Sequence, residues 1–301
     1  MPSERRPVIA GIGEILWDVF PDGAKFGGAP ANFAAHAAAL GGDVRMVSGV
    51  GRDELGDAAL QTLADKQLDT QFIQRPAEFP TGAVQISVDA AGHPTYEFGR
   101  DEAWDHLQWS DDLATLACEA DAVCFGTLGQ RGKASRATIQ RFVAATKPGC
   151  LRVFDINLRP PFVNETVIDE SLLLANVLKL NDDELPFLAD RYGLSGTPIE
   201  QMKSLAERFT LRAVVLTRGA DGAVLLCGDE VSEQPGQPVS VEDTVGAGDS
   251  FTAAVVLGLL RGLPLDTISQ HASRVAAFVC SQTGATPQLP RNLLSAEETS
   301  K

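Results

Sequence analysis

Short apolar runs alternate with helical stretches along almost the whole of this 301-residue chain. The runs at Pro7–Ile12, Val44–Val50, Ala122–Gly126, Leu151–Ile156, Val177–Leu180 and Ala213–Thr217 have the length and composition of buried strands. Between them lie helical stretches such as Ala31–Leu40, Leu55–Gln67, Ala134–Ala145 and Ile199–Phe209. Alternation of this kind predicts a mainly parallel sheet covered on both faces by helices. Ligands of such sheets gather at the carboxyl ends of the strands, so the residues that follow each run carry the functional information.

One region departs from the pattern. Thr81–Val88 and Pro94–Phe98 alternate in β fashion around Asp89-Ala-Ala-Gly92, which predicts a hairpin. With the segment Leu16–Lys25 it is expected to form a small sheet projecting from the main body. No internal repeat, low-complexity tract or interdomain linker is visible, so residues 1–301 read as a single domain with a frayed tail from Asn292 to Lys301.

The formal net charge of −15 disfavours nucleic acid and anionic membrane as partners, because both demand a basic face. Cys118, Cys124, Cys150, Cys227 and Cys280 are odd in number and scattered, with no Cys-x-x-Cys pair. Free thiols in a reducing compartment are therefore expected. Ser3-Glu-Arg-Arg6 leads straight into the first strand, and the apolar runs are too short to span a membrane. A cytoplasmic protein is expected.

The stretch Asp243-Thr-Val-Gly-Ala-Gly-Asp249-Ser-Phe-Thr puts a glycine-rich turn and a carboxylate at the start of a long apolar helix. Gly246 and Gly248 lack the side chains that would keep an anion from the backbone. The helix beginning near Ala247 aims unpaired N–H groups at the same point, and its dipole is expected to hold Asp249 ionised. A phosphate cradle with a carboxylate at its lip suits phosphoryl transfer to a hydroxyl. An ordinary helix start with Asp249 as its dipole partner would leave the same trace.

A second segment narrows the choice. Gly27-Gly28-Ala-Pro30-Ala-Asn32-Phe-Ala-Ala-His-Ala-Ala-Ala-Leu-Gly41, followed by Gly51, joins the Gly-Ala-Gly-Asp249 turn in a longer pattern. Together they resemble the two signature patterns of the ribokinase-like (PfkB) carbohydrate kinase family, in the family's order. The resemblance runs from about Pro7 to Pro290. Within the family, Gly13-Glu-Ile-Leu-Trp-Asp18 and Asp155-Ile-Asn157-Leu-Arg159-Pro are most similar to the fructokinase branch.

The resemblance implies a ribokinase-like three-layer α/β/α fold with a mainly parallel sheet and a small β-sheet lid. Segments near 14–28 and 80–105 would form that lid over the sugar. It implies an ATP-dependent kinase that uses Mg2+ and phosphorylates a primary hydroxyl of a small sugar. Asp249 would be the catalytic base, with Gly246, Ala247 and Gly248 as the anion hole. Asp18, Gly27, Gly28, Asn32 and Arg159 would hold the sugar. Asn181 and Glu184 fit the family's Asn-x-x-Glu motif, with Glu184 acting on magnesium through water. Thr217, Gly219 and Gly222 resemble the nucleotide-binding turn, and Ala276, Ala277 and Cys280 would line the adenine pocket. Several relatives also bind K+ beside the anion turn, which points to Asp243, to carbonyls of Val245 and residues 279–284, and to Gln288 in place of a usual ligand.

Each residue also has a plainer explanation. Asp18 would fit the wet face of an edge strand, and Asn32 a helix cap. Arg159 could pair with Asp155, since alternation puts Asp155, Asn157 and Arg159 on one side of an extended chain. Asp183 or a bare helix start could account for the acidity around Glu184, and Lys25 and Arg100 could be solvated lid charges. Trp104 and Asp105 could cover a sugar or merely pack the lid. Val84, Ile86, Val88, Tyr96 and Phe98 could pair two lids in a homodimer or pack within one. The histidines show no ligand-like spacing.

Other classes fit less well. Gly11-Ile-Gly13-Glu-Ile-Leu16 lacks the third glycine of a dinucleotide fingerprint, and no Walker loop is present. A catalytically silent sugar-binding regulator is the non-enzyme alternative. D-Fructose is the expected acceptor, with 2-keto-3-deoxygluconate, another sugar or a nucleoside as alternatives.

Overall fold

A computed structural model describes residues 5–21, 23–88 and 94–296. Nine strands form one sheet in the order Glu230–Gln234, Ala223–Cys227, Ala213–Thr217, Val177–Asn181, Leu151–Asp155, Ala122–Gly126, Val8–Ile12, Asp43–Gly49, Ile73–Gln74. From Ala213–Thr217 to Ile73–Gln74 every pairing is parallel, and only the two outermost on the other side are antiparallel. Successive residues point to opposite faces. Ile9 and Val153 therefore join one core with Phe33 and Val256, while Ala10 and Phe154 join the other with Phe142 and Ile168. These side chains are all at most 1% exposed, and full burial contributes about 1.5–3 kcal/mol for each large one. The expected three-layer α/β/α arrangement is what forms.

A second sheet has the order Gly23–Gly27, Leu16–Phe20, Gly82–Val88, Pro94–Phe98. Leu16–Phe20 runs antiparallel to Gly23–Gly27 and parallel to Gly82–Val88, which forms the expected hairpin with Pro94–Phe98. The turn Asp89–Gly92 lies outside the described residues.

The root of this small sheet is buried. Leu16, Val84 and Ile86 pack with Trp104 and Leu128. Arg131 donates to Asp105 Oδ2 at 2.7 Å and to Glu102 Oε2 at 2.9 Å, with its guanidinium 4.0 Å from the Trp104 ring. The other Glu102 oxygen accepts from Ala83 N at 2.7 Å, which ties the sheet to this cluster. Trp104 is fully buried. Trp104 and Asp105 thus pack and tie the base of the lid. Val84 and Ile86 are likewise covered within the chain, which removes them from the expected dimer contact set; the side chains of Val88 and Tyr96 lie outside the described residues.

The described part of the tail, up to Ala296, also differs from expectation, and residues 297–301 lie outside the described residues. Arg291–Leu293 forms a helical turn, Leu293 and Ala296 are buried, and His271 Nε2 lies 2.9 Å from Leu293 O. Packing against the helix Leu265–Cys280 secures residues that composition alone marks as frayed.

Candidate active site

The turn before Asp249 needs glycine at Gly246 for its backbone and its close packing. Gly246 precedes the helix Ala247–Leu260 at φ +80°, and a Cβ there would lie 2.1 Å from Ala285 O. No residue but glycine fits that position without moving the neighbouring chain. Asp249 sits in the first helical turn. Opposite it, the helix Ala29–Ala39 carries Asn32 in its own first turn. Asn32 Nδ2 donates to Asp249 Oδ2 at 2.9 Å, while Asn32 Oδ1 is buried and has no protein partner. Asn32 is therefore not a cap, since Gly28 holds that place.

Asp249 departs from expectation in one respect. Burial pushes its carboxyl up to about 6, and Asp155 adds to this. The hydrogen bond from Asn32 and the charges of Lys179 and Arg159 act the other way without reversing it. The helix end was expected to hold the acid low; desolvation and a second carboxylate outweigh it.

Lys179, which sequence reasoning passed over, is buried against the turn that carries Asp249. It lies in the strand Val177–Asn181, in register with Asp155, and its Nζ donates to Asp155 Oδ1 at 3.1 Å. Both side chains are 7% exposed. A Cβ on Gly248 would lie 3.3 Å from Lys179 Nζ, so the ammonium sits against the anion turn. Burial works against its charge, but Asp155, Glu184 and Asp249 more than compensate and raise its pKa. The signal was a lone lysine inside an apolar strand, two residues before Asn181.

That pair also settles the partner of Asp155, which is Lys179 and not Arg159. Asn157 has φ +39°, so the extended geometry that would align residues 155, 157 and 159 ends with the strand at Asp155. Arg159 is exposed and donates to Leu158 O at 3.1 Å.

Glu184 is buried, with Oε1 accepting from Leu158 N at 2.9 Å and Oε2 from Asn181 N at 2.8 Å. Asn181 Oδ1 in turn accepts from the N–H groups of Asp183 and Glu184. Desolvation raises the Glu184 carboxyl, against Lys179. Among the described residues no three His, Cys, Asp or Glu side chains gather as a metal cage. This donor set suits a magnesium ion that arrives with phosphates and keeps its waters, with Asn181 and Glu184 as outer hydrogen-bond partners.

On the lid side, Asp18 lies opposite Lys25 in the strand pair. A Cβ at Gly27 would come within 3.0 Å of Asp18 Oδ2, so glycine leaves that carboxylate open. Gly28, at φ +108°, would clash with Glu14 O if it carried a side chain. Burial raises the Asp18 carboxyl; Arg159 and Lys25 lower it and Asp243 raises it further. Asp243 accepts from Val245 N at 3.0 Å and Gly284 N at 3.2 Å, and Lys25 Nζ lies 3.9 Å from it.

A cleft of about 580 Å³ opens beside the anion turn. Thr217, Gly219 and Gly222 form one wall, Ala276, Ala277 and Cys280 another, and Ala247 and Gly248 its inner end. The residues read from sequence as nucleotide contacts are therefore brought together.

An acid at a helix start shaped for anions, reached from beneath a lid, belongs to an enzyme that moves a phosphoryl group onto a small enclosed acceptor. The chain belongs to the pfkB family of carbohydrate kinases, whose pattern matches residues 22–292. It is 30% identical over 297 residues to an uncharacterized sugar kinase of Pyrococcus horikoshii, covering 92% of this chain and 91% of that protein. It is also 30% identical over 298 residues to a fructokinase of Klebsiella pneumoniae, covering 93% and 95%. An aminoimidazole riboside kinase of Salmonella typhimurium is 27% identical over 281 residues, covering 88% and 84%. The crystal structure of the P. horikoshii kinase superimposes with a TM-score of 0.82 over 97% of this chain and 99% of that one, at 28% identity. Its complex with ATP gives 0.79 over 94% and 95%, also at 28% identity.

Proposed function

We propose that this carbohydrate kinase uses ATP and magnesium to phosphorylate a primary hydroxyl of D-fructose, as one domain with its lid. The Asn32–Asp249 hydrogen bond carries the reading, because it fixes a carboxylate between the sugar-side helix and the anion turn. ATP is supported by the cleft that ends at Gly248 and by the ATP complex of the P. horikoshii relative.

The chemistry follows from the side chains. Asp18, the backbone at Gly27 and Gly28, Asn32 Oδ1 and Arg159 hold and orient the sugar. Asp249 accepts a hydrogen bond from the acceptor hydroxyl. A sugar hydroxyl is too weak an acid to be ionised in advance, so its proton passes to Asp249 as the new O–P bond forms and the bond to the leaving ADP oxygen breaks. The N–H groups at Gly246, Ala247 and Gly248, with Lys179 beneath them, receive the charge developing on the phosphates. Bound magnesium would neutralise part of that charge, its waters held by Asn181 and Glu184.

Fructose is favoured by the fructokinase relative and by local charge. The charge of Arg159 already acts on Asp18, Glu14 and Asp249, so a substrate carboxylate would have to compete for it, whereas a neutral sugar would not. A coupled ADP-release assay over fructose, ribose, 2-keto-3-deoxygluconate, glucose and nucleosides tests this. Fructose should give the highest kcat/KM, and preference for any other acceptor overturns the assignment.

Three further parts belong to the proposal. Asp243 ties the turn at Val245 to Gly284, which supports a K+ site there; a flat response across potassium, sodium and a bulky organic cation at equal ionic strength removes it. A homodimer would pair the lid's outer strands Gly23–Gly27 and Pro94–Phe98, and a 31.9 kDa species in light scattering argues against one. A cytoplasmic setting is supported by five free cysteines.

A further inference from the structure

Glu14 follows the strand Val8–Ile12 and plays no part in the chemistry described so far. It is 4% exposed, and its Oε2 has no hydrogen-bond partner. A buried charged or polar oxygen left this way costs free energy, and a functional role is one reason for a fold to keep it. The carboxyl lines a small cavity at the end of the strand Ala122–Gly126, together with Thr127, Asp155, Asn157 and Asp249. Ala29, the first residue of the helix that carries Asn32, lines the same cavity, and its N–H helps to hold the Glu14 charge. That helix has no side-chain cap and no acidic residue in its first turn, so Glu14 places beside its start the carboxyl that its own sequence omits.

We propose that Glu14 is a positioning residue for phosphoryl transfer: it anchors the turn that presents Asn32 and, across the cavity it shares with Asp249, sets how readily that base takes the acceptor's proton. The proposal rests on the assignment of Asp249 as the base. Two carboxyls in one cavity do not titrate independently; charge on either raises the proton affinity of the other. Burial pushes Glu14 up to about 7, Arg159 and its N–H partners restrain it, and Asp249 drives it further up. The other groups facing the pair are Asp155 and Lys179 on the neighbouring strand ends, Cys124 on Ala122–Gly126, Arg159 on the loop after Asp155, and the Asn32 amide. Asp249 and Glu14, at about 6 and about 7, should therefore lose their protons in two coupled steps within the working range of the enzyme.

Glu14→Gln keeps an acceptor for the Ala29 N–H and removes the ionisation. Its kcat/KM for sugar, followed from about pH 5 to about pH 9, should show one ionisation where the wild type shows two, with KM within about threefold. A purely structural glutamate would leave the profile unchanged, and superimposable profiles overturn the proposal. A second measurement does not depend on that variant folding. In protein labelled with 13C at the glutamate carboxyls, one resonance titrating near neutrality should move to lower pH in Asp249→Asn. The other raised glutamates respond to different partners, Glu102 to Arg131 and Asp105, and Glu184 to Lys179 and Asp155. If no glutamate responds to Asp249→Asn, Glu14 is not coupled to it. Near-normal turnover of Asp249→Asn would instead sink the base assignment and this proposal with it, whereas unchanged Glu14→Gln profiles sink only the latter.

Discussion

Asn32 Nδ2 lies 2.9 Å from Asp249 Oδ2, joining two segments 217 residues apart in the chain. One residue opens the helix read as holding the sugar, and the other opens the helix that faces the phosphates. Their contact orients the carboxylate before either substrate arrives, which spares the reaction that cost.

Asp249→Asn should keep this contact, since an amide oxygen can still accept from Asn32. It should lower kcat by about 10²–10⁴-fold with little change in nucleotide affinity. Steady-state rates at saturating sugar and ATP check this, and retention of more than about a tenth of wild-type turnover would falsify the role of Asp249 as base.

The acid limb of the kcat profile should fall near pH 6 rather than near 4. Asp249 is raised from 3.8 to about 6, so it is ionised and active above that value and protonated and inactive below it. Turnover should drop about tenfold per pH unit below the midpoint. An acid limb at or below about pH 4.5 would show that the protein does not hold this carboxyl high.

Lys179→Met leaves the buried Asp155 without its cation and should destabilise the fold by about 3–5 kcal/mol in urea titrations. Adding Asp155→Leu should recover much of that stability. Turnover should stay about 10²–10³-fold down in the double variant if the ammonium serves the phosphates. Recovery of activity together with stability would make the pair purely structural.

The two glycines of the anion turn should separate binding from folding. Gly248→Val should weaken nucleotide binding as well as turnover, because its side chain enters the space in front of Lys179. Gly246→Ala meets Ala285 O and a φ of +80°, so its main effect should be a lower Tm. Calorimetry and nucleotide titration on both variants distinguish these outcomes.

His36 predicts how stability depends on pH. It is 1% exposed, with Nε2 bonded to Ala285 O at 2.9 Å, and burial lowers it from 6.5 to about 4. Above 6.5 the residue is neutral in both states and its contribution is fully present. As pH falls from 6.5 toward 4 the unfolded chain takes up a proton that the folded protein refuses, and up to about 3 kcal/mol is lost. Unfolding of His36→Gln between about pH 7 and about pH 4.5 should show a shallower loss than the wild type. Equal slopes would assign the loss elsewhere.

The layered fold was legible because its strands are continuous apolar runs; Ala122–Gly126 and Ala213–Thr217 have the expected bounds. The two signature segments likewise marked Asn32 and Asp249, which the fold brings together. The interior of the site was not legible. Lys179 and Glu14 matter through what surrounds them, and no local pattern reports a neighbour across a sheet. Asp249 was misjudged for the same reason: its helix is visible in sequence, but neither its burial nor Asp155 beside it is. The role of Trp104 depended on Arg131, which nothing in the lid segment announces.

The lid is rooted in a buried ionic cluster at Arg131, far along the chain from the turn that faces the phosphates. Asp18 and Gly27 stand on its strands, whereas Lys179, Glu184 and Gly248 belong to the body. On the proposed assignment, changes in the lid strands should alter which acceptor is admitted while the transfer machinery stays as it is. A chain divided this way is a natural starting point for engineering new acceptor preferences, with Asn32, bonded to Asp249, a position where both demands meet.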